Sequence, residues 1–280
     1  MSEPNAPPVA RVHVVTPAHD SADVRARPEA LQIAYSTTRV LPDALARLQR
    51  HVGIVKMDRS ELAESFKMLR NQLLLRMRAD GHRVLAVTSP RSIEGKSLTA
   101  VNLALTIAAY YDSAVLLIDA DLAHHRLQRL FGLEGSAGLG EHLVAGTPLQ
   151  DLFVNPGVDR MVLLPAGASA LPNSAELLAT KAAQHLINEV KQRYNDRYIV
   201  IDLPPLLDTA DALAFVPHVD TTLVVVEDHA TTQADVERTT QLLAPFNLIG
   251  TVLSRGRPER DLVHSPHEPW YRRWLRRKSG

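Results

Sequence analysis

The chain has 280 residues, 45% of them hydrophobic, which suits one large α/β domain with tails. Lysine plus arginine equals aspartate plus glutamate at 31 each, so the net charge points to no particular partner. Cysteine is absent, which excludes disulfides and thiolate metal sites and fits a reducing cytosol. No apolar run approaches the roughly 20 residues of a membrane span, and we expect no signal peptide at the N-terminus.

Residues 1–57 differ in composition from the rest of the chain. Six prolines interrupt every candidate element, so we expect a mostly disordered, Pro-rich arm that can contain one short helix at Leu41–His51. A helix is then predicted at Ser60–Arg78, capped by Asp58 or Ser60. One face of this helix is apolar. A second face carries charges three residues apart, either as a solvated row or as a contact surface: Glu64, Lys67 and Arg70.

A phosphate-binding loop is predicted between residues 83 and 104. Arg83–Ser89 has the β-branched, apolar character of a buried strand, and a helix with regular apolar positions begins at Gly95-Lys96-Ser97. A strand, a tight loop and a helix in this order are typical of P-loop proteins. The N–H groups of the helix start and Lys96 suit phosphate oxygens, and the Ser97 hydroxyl suits Mg²⁺.

Two later strands are predicted to end in acidic residues. Ser113–Asp121 runs through apolar residues to Asp119 and Asp121, and Arg197–Asp202 ends in Asp202. Ligands of parallel sheets bind at the carboxyl ends of the strands, so these carboxylates are expected near the phosphates and a metal ion. The alternative for the strand at Ser113–Asp121 is that it simply ends in a polar turn.

The remaining predicted elements alternate between strands and helices. In chain order they are a short helix or loop at Ala123–Gly132, a short helix at Leu139–Ala145, a strand at Arg160–Leu164, a helix at Ala175–Tyr194 capped by Asn173 or Ser174, a strand within Asp220–Asp228, a helix at Thr231–Leu243 and a strand at Asn247–Arg255. His124 and His125 are interpreted as polar surface. The continuous apolar strands predict an α/β fold in three layers, with a mostly parallel central sheet covered by helices on both faces.

The last segment, residues 256–280, is predicted to be a tail. It has no apolar periodicity and carries Trp270, Tyr271 and Trp274 among arginines and a lysine. Such a tail suits an anionic membrane surface or an acidic partner, although many basic tails are only solvated.

The motifs SPxxxEGKS, LLIDADL and VIDLPP, preceded by a helix with ESFKMLR, together resemble the bacterial tyrosine kinases (BY-kinases) of capsule and exopolysaccharide synthesis. These are P-loop NTPases related to ParA/MinD-type ATPases. The resemblance covers about residues 58–255 and implies the P-loop kinase fold. Pro90 and residues 94–97 match the usual loop, whereas Ser92 and Ile93 depart from it.

The resemblance implies a role for each matching residue. Lys96, Asp119 and Asp121 would be catalytic, with Asp119 as the base toward a tyrosine hydroxyl. The residues expected to contact the nucleotide are Arg91, Glu94, Gly95, Lys96, Ser97 and Leu98, of which residues 94–97 match the family's loop. A Mg²⁺ ion would be held by Ser97, Asp119 and Asp202.

The resemblance also implies partners. Family members use ATP and Mg²⁺ and phosphorylate C-terminal tyrosines of a neighbouring subunit, for which Tyr271 is the candidate here. The row Glu64, Lys67 and Arg70 resembles a helix that joins subunits into a ring. The activator would be the cytoplasmic segment of a membrane polysaccharide co-polymerase (chain-length regulator). This partner would place the protein at the inner face of the cell membrane, with no specific nucleic acid expected.

Three functions remain open at this level. The first is an ATP-dependent protein-tyrosine autokinase that regulates exopolysaccharide polymerisation and export. The second is a ParA/MinD-type ATPase that positions cargo. The third is a non-catalytic, nucleotide-binding regulator that controls polysaccharide synthesis by docking. Arg91 occupies the loop position where the second class has lysine, and it is a candidate phosphate ligand.

Overall fold

The computed structural model describes residues 38–41, 43–51, 53–55, 60–92, 95–110, 113–193, 197–228 and 230–254. Within these ranges, eight strands form one sheet. The strands are β1 (Arg39–Val40), β2 (Val84–Thr88), β3 (Ala114–Asp119), β4 (Val154–Asn155), β5 (Met161–Leu164), β6 (Arg197–Asp202), β7 (Thr221–Glu227) and β8 (Leu248–Ser254).

Ten α-helices and one 3₁₀ turn (Val216–His218) connect these strands in the part of the chain that is described. The helices are α1 (Ala44–Leu48), α2 (Glu61–Ala79), α3 (Lys96–Ala108), α4 (Arg126–Leu130), α5 (Leu139–Ala145), α6 (Leu149–Leu152), α7 (Ser174–Leu178), α8 (Lys181–Arg193), α9 (Asp211–Phe215) and α10 (Gln233–Leu243). Among the described residues, no helix combines the length and the hydropathy that a bilayer crossing requires.

The sheet has the order β1-β4-β5-β3-β6-β2-β7-β8, and only the β4–β5 pair is antiparallel. Alternate residues of each central strand pack into hydrophobic cores on opposite faces of the sheet. Leu85 and Val87 of β2 pack with α2 and α3 on one face, whereas Val84 and Ala86 pack with α8 and α9 on the other. Burial on both faces explains the continuous apolar strands, and it confirms the predicted three-layer α/β fold.

The structure confirms one helical prediction and contradicts another. Helix α2 begins after Ser60, whose hydroxyl accepts a hydrogen bond from the Ala63 N–H, so the predicted cap is confirmed. The single helix predicted at Ala175–Tyr194 is wrong, because α7 ends at Leu178 and α8 begins at Lys181. Thr180 lies between the two helices, and its hydroxyl accepts a hydrogen bond from the Ala183 N–H at the start of α8.

The described part of the N-terminal segment packs on the domain, which differs from the predicted boundary at residue 57. Strand β1 pairs with β4 at the sheet edge, and the predicted short helix is present as α1. Leu48, Ile54 and Val55 are buried in the core beside α2 and α3. The buried Asn102 side chain of α3 accepts from the Val55 N–H at 2.8 Å and donates to the Gly53 carbonyl at 2.7 Å. Residues 1–37 and the predicted tail lie outside the described residues.

Candidate functional site

The start of α3 lies at the carboxyl end of β2, in the middle of the sheet. Gly95 precedes it with a φ of 78°, a left-handed conformation that favours glycine. A Cβ on Gly95 would also lie 3.2 Å from the Ser254 hydroxyl at the end of β8. The N–H groups of Lys96, Ser97 and Leu98 belong to the first turn and have no carbonyl partner within the helix. They form, with the helix dipole, a cradle for an anion.

Lys96 points into a buried acidic cluster. Its side chain is 4% exposed, and Nζ lies 3.7 Å from Asp121 Oδ2 and 3.6 Å from Asp202 Oδ1. The ammonium group also donates to the Ser97 hydroxyl at 3.3 Å. Burial alone would lower the pKa of Lys96, but the charges of Asp202 and Asp121 raise it above the usual value. Lys96 is therefore a charged lysine held at the start of the phosphate-binding helix.

Asp119 ends β3 beside Asp202, its register partner at the end of β6. One Asp119 oxygen accepts from the Asp121 N–H at 3.1 Å, and the other accepts from the Gln128 N–H at 2.9 Å. Burial, followed by repulsion from Asp202 and Asp121, raises the pKa of Asp119 well above its usual value. A carboxylate with a raised pKa is a better proton acceptor at neutral pH than an ordinary one.

The carboxylates of Asp202 and Asp121 have the character of a cation site. Among the described residues, neither oxygen of Asp202 has a hydrogen-bond partner at bonding distance, and Oδ2 of Asp121 also lacks one, although all three are buried. Burial raises the pKa of Asp202 despite the nearby Lys96. No set of three acidic or histidine side chains within the described residues forms a complete metal cage. Mg²⁺ typically uses one or two carboxylates together with water and substrate phosphates. Of the predicted metal ligands Ser97, Asp119 and Asp202, Asp119 already accepts a backbone hydrogen bond on each oxygen, whereas the oxygens of Asp202 suit this ion.

Sequence reasoning missed the contact between His124 and Asp121. The His124 ring, interpreted above as polar surface, lies with Nδ1 2.9 Å from Asp121 Oδ1. Burial opposes ionisation of Asp121, but the hydrogen bond from His124 and the charge of Lys96 lower its pKa to about 2. Asp121 is thus the firmly ionised member of the cluster. The spacing of three residues from Asp121 was the available signal.

Gln128 is a second residue that sequence reasoning missed. Its backbone N–H binds Asp119, and its buried side chain accepts from the N–H groups of Ala166 and Gly167. The amide also donates to the Gly167 carbonyl at 3.0 Å. Gln128 therefore ties the loop after β5 to the base candidate. A glutamine on a short helix carries no recognisable motif, which is why the sequence did not reveal this role.

The other predicted nucleotide contacts differ in outcome. Arg91 is paired with Asp208 at 3.2 Å and with Asp235 at 2.9 Å, so it would have to leave these carboxylates to reach a phosphate. Leu98 lies in the first turn of α3, as predicted. Glu94, Ile93 and the acceptor candidate Tyr271 lie outside the described residues.

The predicted oligomer row on α2 is not a continuous exposed surface. Glu64 and Lys67 form an exposed ion pair at 2.7 Å. Arg70, in contrast, is 9% exposed and donates to the Thr106 carbonyl at 2.9 Å. Its guanidinium also lies 4.9 Å from the centre of the Tyr110 ring. Arg70 therefore packs within its own domain in the described structure, and the role of this row in joining subunits stays a prediction.

The part of the chain that contains this site matches a known protein family. The model of the ParA family, described as "NUBPL iron-transfer P-loop NTPase", matches residues 81–252. The chain belongs to this family. The match begins just before β2 and ends within β8, so it includes the cradle, Lys96 and all three carboxylates.

The proteins to which the chain is similar include tyrosine kinases and a biosynthesis transport protein. Tyrosine-protein kinase YwqD of Bacillus subtilis is 28% identical over 211 residues, which are 75% of this chain and 87% of YwqD. The succinoglycan biosynthesis transport protein ExoP of Rhizobium meliloti is 32% identical over 62% of this chain, and the match spans only 22% of ExoP. The kinase domain of Escherichia coli tyrosine kinase ETK superposes with a TM-score of 0.66 at 26% identity, over 78% of this chain and 87% of that domain.

Proposed function

We propose that the protein is an ATP-dependent protein-tyrosine autokinase that regulates exopolysaccharide or capsule polymerisation and export. The observation that carries this proposal is the position of Asp119, a buried carboxylate paired in register with Asp202, whose own carboxylate lies 3.6 Å from Lys96 Nζ in the cradle. The cradle holds phosphates, and Asp119 is a proton acceptor within the same cluster. The relatives named as tyrosine kinases support the same reaction.

In the proposed reaction, the tyrosine oxygen attacks the γ-phosphorus of ATP, the bond to ADP breaks, and the tyrosine proton passes to Asp119. The phenol has a pKa near 10, so a positioned carboxylate assists the loss of its proton. Lys96 and the first-turn N–H groups of α3 orient the β- and γ-phosphates and balance their charge. A Mg²⁺ ion held by Asp202 and Ser97 would supply additional charge neutralisation at these phosphates.

The partners follow from the same proposal. We expect the acceptor to be a tyrosine of a neighbouring subunit, with Tyr271 as the candidate on this chain. The activator is proposed to be the cytoplasmic segment of a membrane polysaccharide co-polymerase, which would hold the kinase at the inner face of the membrane. Homo-oligomerisation remains part of the proposal, with contacts other than Arg70 because that side chain is buried.

Mass spectrometry of the full chain after incubation with ATP and Mg²⁺ tests the proposal. We expect phosphotyrosine in the wild type, and at least a hundredfold less in Asp119→Asn, because a general base contributes about 10²–10⁴ to the rate. Asp151→Asn, which changes an exposed acid on α6, is the matched control and should behave as the wild type. A parallel sample with the candidate activating segment tests activation. Phosphotyrosine formation that is equal in Asp119→Asn and wild type would remove Asp119 as the base.

A ParA-type ATPase is the second candidate, and the family match favours it. The same samples distinguish the two functions. Release of inorganic phosphate without phosphotyrosine would support the ATPase, whereas nucleotide binding without either product would support a non-catalytic regulator. In each case Lys96→Met should abolish nucleotide binding.

A further inference from the structure

The first residues of the phosphate loop contact two carboxylates that the proposed chemistry does not use. Arg91 Nη1 lies 3.2 Å from Asp208 Oδ1, while Nε and Nη2 lie 3.0 Å and 2.9 Å from Asp235 Oδ1. The backbone N–H and the hydroxyl of Ser92 both donate to Asp208 Oδ2, at 2.8 Å and 2.9 Å. We call these four residues, Arg91, Ser92, Asp208 and Asp235, the loop clamp.

The loop clamp joins three adjacent strands of the sheet. Strand β2, which leads into Arg91, lies between β6 and β7. Asp208 follows β6, and Asp235 lies in the first turn of α10 after β7. The loop after β6 also runs beside the phosphate loop, because the N–H groups of Leu206 and Leu207 donate to the carbonyls of Ser89 and Pro90. The hydrogen bonds from Ser92 to Asp208 therefore extend this series of hydrogen bonds between the two loops.

Asp235 is itself held in position for Arg91. The Thr232 hydroxyl donates to Asp235 Oδ2 at 2.7 Å, and the Asp235 N–H donates back to that hydroxyl at 3.1 Å. These bonds leave Oδ1 directed at the guanidinium. On the other side, burial would raise the pKa of Asp208, but the hydrogen bonds from Ser92 and Arg91 lower it, which favours the ionised form.

Two roles for Arg91 are physically distinct. As a phosphate ligand, it would have to leave two carboxylates that already make charge-assisted hydrogen bonds. As a structural link, it would remain on these carboxylates and act through the loop. The Ser92 N–H favours the second role, since it donates to Asp208 and not toward the cradle.

We propose that Asp208 and Asp235 are positioning residues that hold the start of the phosphate loop through Arg91 and Ser92. The proposal rests on the proposed function for its nucleotide, and it deepens that function by identifying what shapes the loop. Removing one residue of the loop clamp should make the phosphate loop more mobile and weaken nucleotide binding. The effect should be the same for ADP and ATP, because both present an α- and a β-phosphate.

Hydrogen exchange of the nucleotide-free full chain is the first test. In Asp208→Ala, peptides that cover residues 88–98 should exchange at least several-fold faster than in wild type, whereas the α8 peptide should not change. Asp208→Asn keeps an acceptor for the Ser92 N–H and should restore part of the protection. Asp151→Ala, an exposed acid on α6, is the matched control and should leave the loop unchanged. Loop exchange in Asp208→Ala that equals wild type overturns the proposal.

Calorimetric titration with ADP and with ATP is the second test. Asp208→Ala and Arg91→Ala should each weaken both nucleotides by about tenfold, and the double variant should lose less than the product of the two single effects because the residues share one ion pair. If Arg91 is a phosphate ligand instead, Asp208→Ala will tighten ATP binding and Arg91→Ala will weaken ATP more than ADP. That result overturns the proposal.

The two tests separate this proposal from the proposed function. If the wild type binds neither nucleotide, the proposed function fails, and the exchange experiment alone decides whether the clamp holds the loop. If nucleotide binds but no phosphotyrosine forms, the kinase reaction fails while both clamp tests still apply.

Discussion

Replacing Lys96 by methionine is expected to destabilise the nucleotide-free protein, in addition to removing a phosphate ligand. The Lys96 ammonium lies within 3.7 Å of Asp121 and Asp202, and neither carboxylate is more than 1% exposed. Methionine fills similar space but leaves both acids without their cation. Removal of one partner from a buried ion pair costs about 3–5 kcal/mol. For a domain of this size, that loss lowers the melting temperature by about 10 °C.

The destabilisation should depend on pH in a defined direction. Burial already raises the pKa of Asp202, and loss of Lys96 removes the cation that opposes this rise. A carboxyl group with a raised folded-state pKa costs nothing below its unfolded pKa, and the cost grows as the pH rises from the unfolded to the folded pKa and is fully present above the latter. Urea unfolding of wild type and Lys96→Met should therefore give a larger difference near pH 8 than near pH 5.

Lys67→Met is the matched control for this experiment. Lys67 forms an exposed pair with Glu64, so its replacement should change the free energy of unfolding by about 0.5 kcal/mol or less. Adding Asp202→Asn to Lys96→Met should recover part of the lost stability, because one uncompensated charge is removed. If Lys96→Met unfolds like Lys67→Met near pH 8, the reasoning about the buried cluster is refuted.

Three further predictions concern single residues of the site and of α2. Asp119→Asn should retain ATP affinity within about threefold and lose transfer, which parallel binding and phosphotyrosine assays measure; a matching loss of affinity would contradict a role as base. Asp121 has a pKa lowered from 3.8 to about 2, so its ionised form stabilises the fold above pH 4 and this contribution, about 2 kcal/mol, disappears as pH falls to 2. Acid unfolding of wild type and Asp121→Asn should show this difference, and parallel curves would argue against it. Arg70→Ala should cost about 1–3 kcal/mol in urea unfolding, since it removes the bond to Thr106 and the Tyr110 contact, with an unchanged sedimentation coefficient. A shift to monomer from an oligomeric wild type at unchanged stability would restore the oligomer interpretation.

The central strands and the order of the chemical motifs were readable from sequence. Strand β6 was predicted at its observed bounds, and β2, β3 and β7 within one or two residues at each end. Strands that are buried on both faces form uninterrupted apolar runs, and such runs are visible without tertiary information. The glycine at position 95 was likewise readable, because a helix start that follows a left-handed residue has a recognisable sequence.

Short elements and edge pairing could not be predicted in this way. Strands β1 and β4 are two residues long, and α9 has five residues, so none is long enough for an apolar period to repeat. The N-terminal segment looked like a proline-rich arm because its burial depends on Asn102 and on α3, which lie about 50 residues further along the chain.

The sequence by itself determined the α/β class, the phosphate cradle at Lys96 and the identity of the acids at the strand ends, since each depends on local pattern. Only the tertiary structure decided which of these groups meet. It placed Lys96 between Asp121 and Asp202, turned Arg91 onto Asp208 and Asp235, and buried Arg70 against α3. The physical reason is that a side chain's charge partner and exposure depend on neighbouring strands and helices that are distant in the chain, and no local period encodes them.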